Sequence, residues 1–386
     1  MVLKKLTLKN YRNLLSAQIE PCRNVNIIYG DNAQGKTNLI EAIWLFTGNN
    51  SFRAGKTSEL IHFEQQAAEL SILFEDSERE QQAKIKLGTK KEYFLNHVPL
   101  KKASEMTGNF YAVIFSPVDL SLADGSPKNR RKFLDAAISQ LTPQYSGYLE
   151  QYERVLEQRN ALLKDLYRFP ALRDTIDIWD LQLAKLGTIL SIYRNDYVKK
   201  LSKLSEKIYF GLSSESEKFS MCYRSSVFDQ IETVDHYEDC HIQAYFELLQ
   251  KNLEQDTKYG FTSVGIHRDD LELMIDHLPV RSYGSRGQIR SSVLALKLGE
   301  AELLKRVTGE DPIMLLDDVM SELDNKRQDY ILNHVKDKQV FITCCDMFNT
   351  ISLQEGKVFH VENGSILSER SHGLAEEDRN VSAFRQ

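Results

Sequence analysis

Hydrophobic and polar positions follow several different patterns along this chain, and each change of pattern marks a boundary. Residues 25–46, VNIIYGDNAQGKTNLIEAIWLF, read as a buried strand, a glycine turn and a helix, because Leu39, Ile40, Ile43 and Phe46 recur at helical spacing. The runs AELSILFE, AKIKLG and EYFLNHVPL alternate between polar turns, which predicts an antiparallel sheet with one covered face. FYAVIFSP is apolar almost throughout and stops at Pro117, as a strand buried on both sides would.

From about residue 128 the period lengthens. Tyr145, Tyr148, Tyr152, Val155, Arg159, Leu162 and Leu166 form one stripe at about 3.5 residues, ended by Pro170. Trp179, Leu183, Leu186, Leu190, Tyr193, Tyr197, Leu201, Leu204 and Ile208 continue it in the return direction. The two predict a helical hairpin whose first limb is about 35 Å long, an arm rather than a long coiled-coil rod. Strands and turns return at YGFTSVGIHRDDLELMI; SYGSRGQIRSS, the helical run VLALKLGEAELL, DPIMLLDDVMSELD and QVFITCCDM follow. From Glu369 the chain is polar and aperiodic and reads as a flexible tail. The expected organisation is an α/β head in two parts, 1–125 and 258–368, an inserted α-helical arm over 126–257, and a tail over 369–386.

Composition narrows the class. A chain of 386 residues exceeds one ordinary compact domain, and 42% hydrophobic with 27% charged residues suits a soluble globular protein. No apolar run reaches the roughly eighteen residues of a membrane helix. MVLKKLTLKNYRNL alternates like a strand and lacks the apolar core of a signal peptide, so a cytoplasmic location is expected. Cys22, Cys222, Cys240, Cys344 and Cys345 make no CxxC pair and read as reduced thiols. His236, Cys240 and His241 stand close in DHYEDCH, but no second ligand pair follows at finger-like spacing; they read as the polar face of a helix. A net charge of -6 excludes a surface that attracts nucleic acid everywhere, while leaving local basic patches. These are Lys4, Lys5, Lys9 and Arg12, then Lys101 and Lys102, and most densely KNRRK at 128–132.

GDNAQGKT carries the first specific chemistry. It matches the phosphate-loop pattern between a strand and a helix. Gly30 and Gly35 permit the tight turn through which Asp31, Asn32, Ala33 and Gln34 aim N–H groups at phosphate oxygens. Lys36 supplies positive charge to the β- and γ-phosphates, and Thr37 offers a hydroxyl to Mg²⁺. The near-copy NSFRAGKT has Asn50 in place of the first glycine and follows a helix, so it is no phosphate loop; its Arg53 is a charge able to fold over a nucleotide. In PIMLLDDV, Asp317 emerges from a buried strand to hold the Mg²⁺ shell, and Asp318 is placed to orient or deprotonate the attacking water. Lys36 and Asp318 are thus the catalytic candidates for hydrolysis of a nucleoside triphosphate.

Together with YRN at 11–13, the segments GDNAQGKTNLIEAI, LSLADGSPKNRRKFLD, GIHRDDLEL, YGSRGQIRSSVLALKLGEAELL, LLDDVMSELD and VFITCCD resemble the RecF family of bacterial recombination mediators, from residue 1 to about 365. That family is similar in its head to ATP-binding cassette proteins of the SMC type. The resemblance implies an ABC/SMC-type P-loop ATPase head with an inserted helical arm, ATP and Mg²⁺ as cofactors, and Arg12 among the ATP-binding residues. It implies that Ser285, Arg286, Gly287 and Gln288 are a signature segment covering the γ-phosphate held by a second copy. Ser321, Glu322, Leu323 and Asp324 would be the loop after the second acidic motif. ATP would then join two heads into a homodimer, and slow, DNA-stimulated hydrolysis would release them. DNA, double-stranded or at single/double-strand junctions and without sequence specificity, is the implied partner, with RecR and RecO, and indirectly RecA and single-strand binding protein.

Some positions depart from the cassette pattern. Asp318 stands where transporters usually carry glutamate, Cys344 and Cys345 stand in the switch loop, and Val118 interrupts SPVDL, where Ser116 and Asp119 are the metal-sensing candidates. Lys128, Arg130, Arg131 and Lys132, with Lys199 and Lys200, are the candidate contacts to DNA phosphates. His267 and Arg268 would contact nucleotide or DNA, or pair with Asp269 and Asp270. The alternative function is the ATPase subunit of a transporter, for which the hairpin is the wrong docking element.

Overall fold

The protein is described by a computed structural model that covers residues 1–166, 168–213, 215–229, 238–345 and 356–372. It divides into two compact units, one formed by 1–117 with 309–386 and one by 118–308. The boundaries expected at 125/126 and 257/258 therefore both fall inside the second unit.

The first unit contains two six-stranded sheets. In one, Val25–Tyr29 lies between Val340–Cys344 and Gly356–Glu362, parallel to both, and Ile313–Asp317 and Ala112–Phe115 continue the parallel order. Ala112–Phe115 and Ile313–Asp317 are buried at every position, which explains their unbroken apolar sequences. Ser365–His372 closes the edge antiparallel to Gly356–Glu362, so residues 369–372, expected in the tail, lie in a strand; 373–386 lie outside the described residues. The backbone pairing of this hairpin, which polarity along the chain does not reveal, carries 369–372 into the sheet.

The second sheet of this unit is antiparallel, ordered Leu14–Ile19, Val2–Tyr11, Ala68–Glu75, Glu80–Leu87, Glu92–Leu95 and Val98–Leu100. Ala68, Leu70, Ile72 and Phe74 point inward in strict alternation. EYFLNHVPL is two strands rather than one, because Asn96 and His97 take φ values of 50° and 68°, the left-handed pair of a two-residue hairpin turn.

In the second unit, Pro143–Asp165 and Ile176–Leu212 form the helical hairpin. Tyr145, Tyr152, Val155 and Arg159 on one limb, and Leu183, Leu190, Tyr197, Leu201 and Leu204 on the other, are buried as their spacing requires. Arg286–Thr308 packs against Ile176–Leu212, and Phe219–Arg224, Asp270–Ile275 and Leu278–Pro279 make a three-stranded sheet. Of the segments beyond 257 that were expected to rejoin the head, 258–308 thus belong to the hairpin's unit and those from 309 onward to the first. Among the described residues, no helix is long and apolar enough to cross a membrane.

Candidate nucleotide site

The phosphate loop joins the end of Val25–Tyr29 to the helix Lys36–Leu45, so the helix N-terminus faces the loop. Gly30 has φ 150° and Gly35 φ 118°. A Cβ at Gly30 would lie 2.2 Å from the Val361 carbonyl oxygen, and one at Gly35 would lie 2.8 Å from Asn13 Oδ1. Both glycines are therefore dictated by backbone conformation and by close neighbours. Lys36 is 7% exposed, and its ammonium donates to the carbonyl oxygens of Gly30 at 2.6 Å and Asp31 at 2.8 Å.

Beside it, Thr37 Oγ1 donates to Asp317 Oδ1 at 2.8 Å. In the parallel register Asp317 lies opposite Thr343, whose hydroxyl also donates to Asp317 Oδ1, at 2.9 Å, and accepts the Asp318 N–H at 2.8 Å. Burial pushes the Asp317 carboxyl above its ordinary range, against the lowering effect of those two hydroxyls. A hydroxyl and a carboxylate sharing one oxygen-rich corner suit a hard divalent cation, so Thr37 and Asp317 fit Mg²⁺. Asp318 takes φ 54°, and Ser321 Oγ reaches its carbonyl at 3.1 Å and its carboxylate at 3.3 Å. Asp324 caps the helix Asn325–Val335 by accepting the Arg327 N–H at 3.0 Å.

These groups border a cavity of about 1080 Å³ whose lining includes Arg12, Asn13, Asn32, Ala33, Gln34, Gly35, Lys36, Thr37, Arg53, Phe63, Asp318 and Thr343. Arg12 is held away from a free role by a bidentate pair with Glu41, at 2.9 and 2.8 Å. Glu41 also accepts from Tyr11 at 2.9 Å and Ser51 at 2.5 Å, which uses the near-copy NSFRAGKT as a brace rather than a phosphate loop. Arg53 does reach the cavity, donating to Asn38 Oδ1 at 3.1 Å. Asn13 was legible only as part of YRN; here its amide donates to the Gln34 carbonyl at 3.0 Å and its carbonyl accepts from Asn38 at 2.7 Å, fixing the loop from outside. Cys345 Sγ lies 3.0 Å from Asn32 Oδ1 and 3.8 Å from Lys36 Nζ, beside the loop.

In the second unit, Ser285 and Gln288 form a reciprocal cap. Gln288 N–H donates to Ser285 Oγ at 3.2 Å, and Ser285 N–H donates to Gln288 Oε1 at 2.8 Å. Arg286 and Gly287 open the helix Arg286–Thr308 directly behind it. Ser285 Oγ accepts from the backbone there, so its proton can still be donated to an anion.

Other expected contacts are redistributed. Arg130 is 3% exposed and makes a bidentate pair with Asp270 at 2.6 and 2.8 Å, so it is removed from the candidate DNA-binding residues. A guanidinium held there has no face left for a phosphate. Arg131 donates to the Asp269 carbonyl at 2.7 Å, and burial lowers its pKa; Lys128 and Lys132 are exposed. His267 and Arg268 do not bond to the side chains of Asp269 or Asp270. His267 bonds Tyr152 at 2.9 Å and the Thr262 carbonyl at 3.0 Å, and Arg268 lies over Phe261. Glu238, Cys240 and His241 bring ligand atoms within 4.8 Å of one another at the surface; His236 lies outside the described residues.

The RecF/RecN/SMC N terminal domain family matches residues 2–366. The chain is 39% identical over 373 residues to the DNA replication and repair protein RecF of Ruminiclostridium cellulolyticum, covering 95% of this chain and 100% of that one. It is equally similar, at 39% over 370 residues, to the RecF protein of Acetivibrio thermocellus, with coverage of 94% and 99%. Among solved structures, the recombination mediator protein RecF-ATP of the RecFOR pathway superposes with a TM-score of 0.87 at 37% identity, over 97% of each chain. The Smc head of Pyrococcus furiosus, at 16% identity, TM-score 0.53 and 96% coverage of each chain, shares the fold.

Proposed function

The chain belongs to the RecF family, the replication and repair branch of the SMC-type ATPases, and from that premise we propose that it is an ATP-switched DNA clamp. ATP joins two copies into a homodimer that binds duplex DNA and its junctions with single-stranded gaps, without reading sequence. With RecO and RecR it promotes RecA loading on strands coated by single-strand binding protein. Slow, DNA-stimulated hydrolysis releases it, and the setting is the cytoplasm.

The observation that carries this reading is a divided set of phosphate donors in one chain. The loop Gly30–Thr37 with Asp317 and Asp318 forms one half, and the capped Ser285 N-terminus forms the other. Lys36 and the loop N–H groups bind the β- and γ-phosphates. Thr37 and Asp317 hold Mg²⁺, which when bound neutralises phosphate charge. Asp318, fixed by Thr343 and Ser321, orients the attacking water and accepts its proton. Ser285 of a second copy donates to the γ-phosphate, so loss of that phosphate removes the reason for the pair to stay together. For DNA, the reading now rests on Lys128, Lys132 and Arg131, with Lys199 and Lys200 on the long helix.

The test is association state and duplex-DNA binding, measured by light scattering and anisotropy with and without ATP and Mg²⁺. ATP should produce dimers and tighten DNA binding at least tenfold. Lys36→Ala should lose both responses, whereas Ser285→Arg should keep monomer ATP affinity and lose dimers. A chain that stays monomeric with ATP and binds DNA as well with Lys36→Ala as without it would overturn the switch.

A further inference from the structure

In the second unit the helix Asp239–Lys251 packs on Ile176–Leu212 and buries Ile242, Tyr245 and Leu249. Tyr245 sits so close to Gly187 that a Cβ there would lie 2.3 Å from its ring. The helix is thus firmly seated, and its first turn leaves Glu238 and Cys240 exposed and His241 half-buried. Glu238 is the residue before the helix, in extended backbone, yet its side chain caps no N–H. Its carboxylate instead accepts from Cys240 Sγ at 3.5 Å, and His241 Nδ1 lies 3.9 Å from the same sulfur. Phe228 packs at 80° to the His241 ring, with 6.0 Å between centroids, and limits its rotation. All three ligand atoms lie within 4.8 Å of one another.

We propose that Glu238, Cys240 and His241 form a surface site for Zn²⁺, with water in the fourth position. Around a tetrahedral zinc, neighbouring ligand atoms stand about 3.3–3.6 Å apart. The two separations at the Cys240 sulfur are already close to that, and the third lies within a side-chain rotation of it. The donor set also selects the ion. Thr37 and Asp317 offer oxygen alone and suit Mg²⁺, whereas a thiolate, an imidazole and a carboxylate together disfavour Mg²⁺ and suit Zn²⁺. Binding displaces the Cys240 proton to solvent and exchanges the weak S–H contact with Glu238 for a metal bond to each. The ion ties the residue before the helix to its first turn, supplying the closure that the Glu238 side chain does not.

The test uses the full chain, stripped of metal with a chelator, with Co²⁺ as the spectroscopic probe and Zn²⁺ as its competitor. Co²⁺ should produce a sulfur-to-cobalt charge-transfer band in the near ultraviolet, and Zn²⁺ should abolish it. Cys240→Ser should lose the band, while Cys345→Ser should keep it. Glu238→Gln and His241→Ala should each weaken Co²⁺ binding by about tenfold or more. The far-ultraviolet circular dichroism of every variant should match the wild type, since these side chains lie at the surface. Absence of the band from the wild type, its persistence in Cys240→Ser or its loss in Cys345→Ser would overturn the site. Unchanged Co²⁺ affinity in either Glu238→Gln or His241→Ala would overturn the three-ligand set.

Discussion

Asp318 sits in the left-handed region at φ 54°, and two hydroxyls hold it there: Thr343 accepts its N–H and Ser321 reaches its carboxylate. Thr343 is 1% exposed and bridges both acids, so on the proposed reading it is a positioning residue. Thr343→Val keeps the shape and removes both bonds. It should lower kcat by about 10–100-fold while ATP affinity changes little, and cost about 1–3 kcal/mol of stability; single-turnover hydrolysis and urea unfolding measure the two effects. Gly30, Gly35, Lys36 and Thr37 were legible in the sequence because a phosphate loop writes its backbone needs into consecutive residues, and Asp317 because it ends an unbroken apolar run. Thr343 was not legible as a bridge, since that role exists only once the parallel register sets it opposite Asp317. The same physics misled at Arg130: its charge is local information, but its partner Asp270 belongs to a strand far along the chain.

Within the hairpin, the stripe of apolar residues contains Arg159, which a heptad pattern treats as an interruption. Its guanidinium is fully buried and joins Asp180 at 2.5 Å and Asp256 at 2.7 Å, with Thr262 at 2.8 Å. Burial also pushes the Asp180 carboxyl up, against the pull of Arg159. One arginine therefore pins three elements, both hairpin helices and Leu253–Tyr259. Arg159→Met would leave two carboxylates buried without their cation and should cost about 3–5 kcal/mol in urea unfolding. Helix positions were readable from periodicity, since burial follows spacing. The pins between helices were not, because ionic partners carry no periodic signature.

At the scale of the molecule, one buried histidine shapes how the second unit meets acid. His267, in the second unit, is held at about 4 rather than the ordinary 6.5, chiefly by burial, with Arg268, Arg131 and Arg159 adding to the lowering. Its Nε2 donates to Thr262 and its Nδ1 accepts from Tyr152, so the folded state keeps it neutral. The unfolded chain binds the proton more readily, so this stabilisation is complete above pH 6.5 and is lost as pH falls from 6.5 to about 4. The loss amounts to about 3 kcal/mol. Unfolding free energies measured across that range should show the slope, and His267→Gln should flatten it. The division of the chain itself was only half legible: the hairpin announced itself, but the assignment of 258–308 to the hairpin's unit depends on packing that no local pattern encodes. The order of strands in the nucleotide-binding sheet has a further effect, on the ribosome. Val25–Tyr29 is flanked by Val340–Cys344 and Gly356–Glu362, so its phosphate loop is made first and its neighbours last. At roughly 5–20 residues per second, a nascent chain carries that loop for on the order of 15–65 s with no sheet to mount it on. A message cut short between that loop and those final strands yields a product with the motif but without the strands that flank it in the sheet.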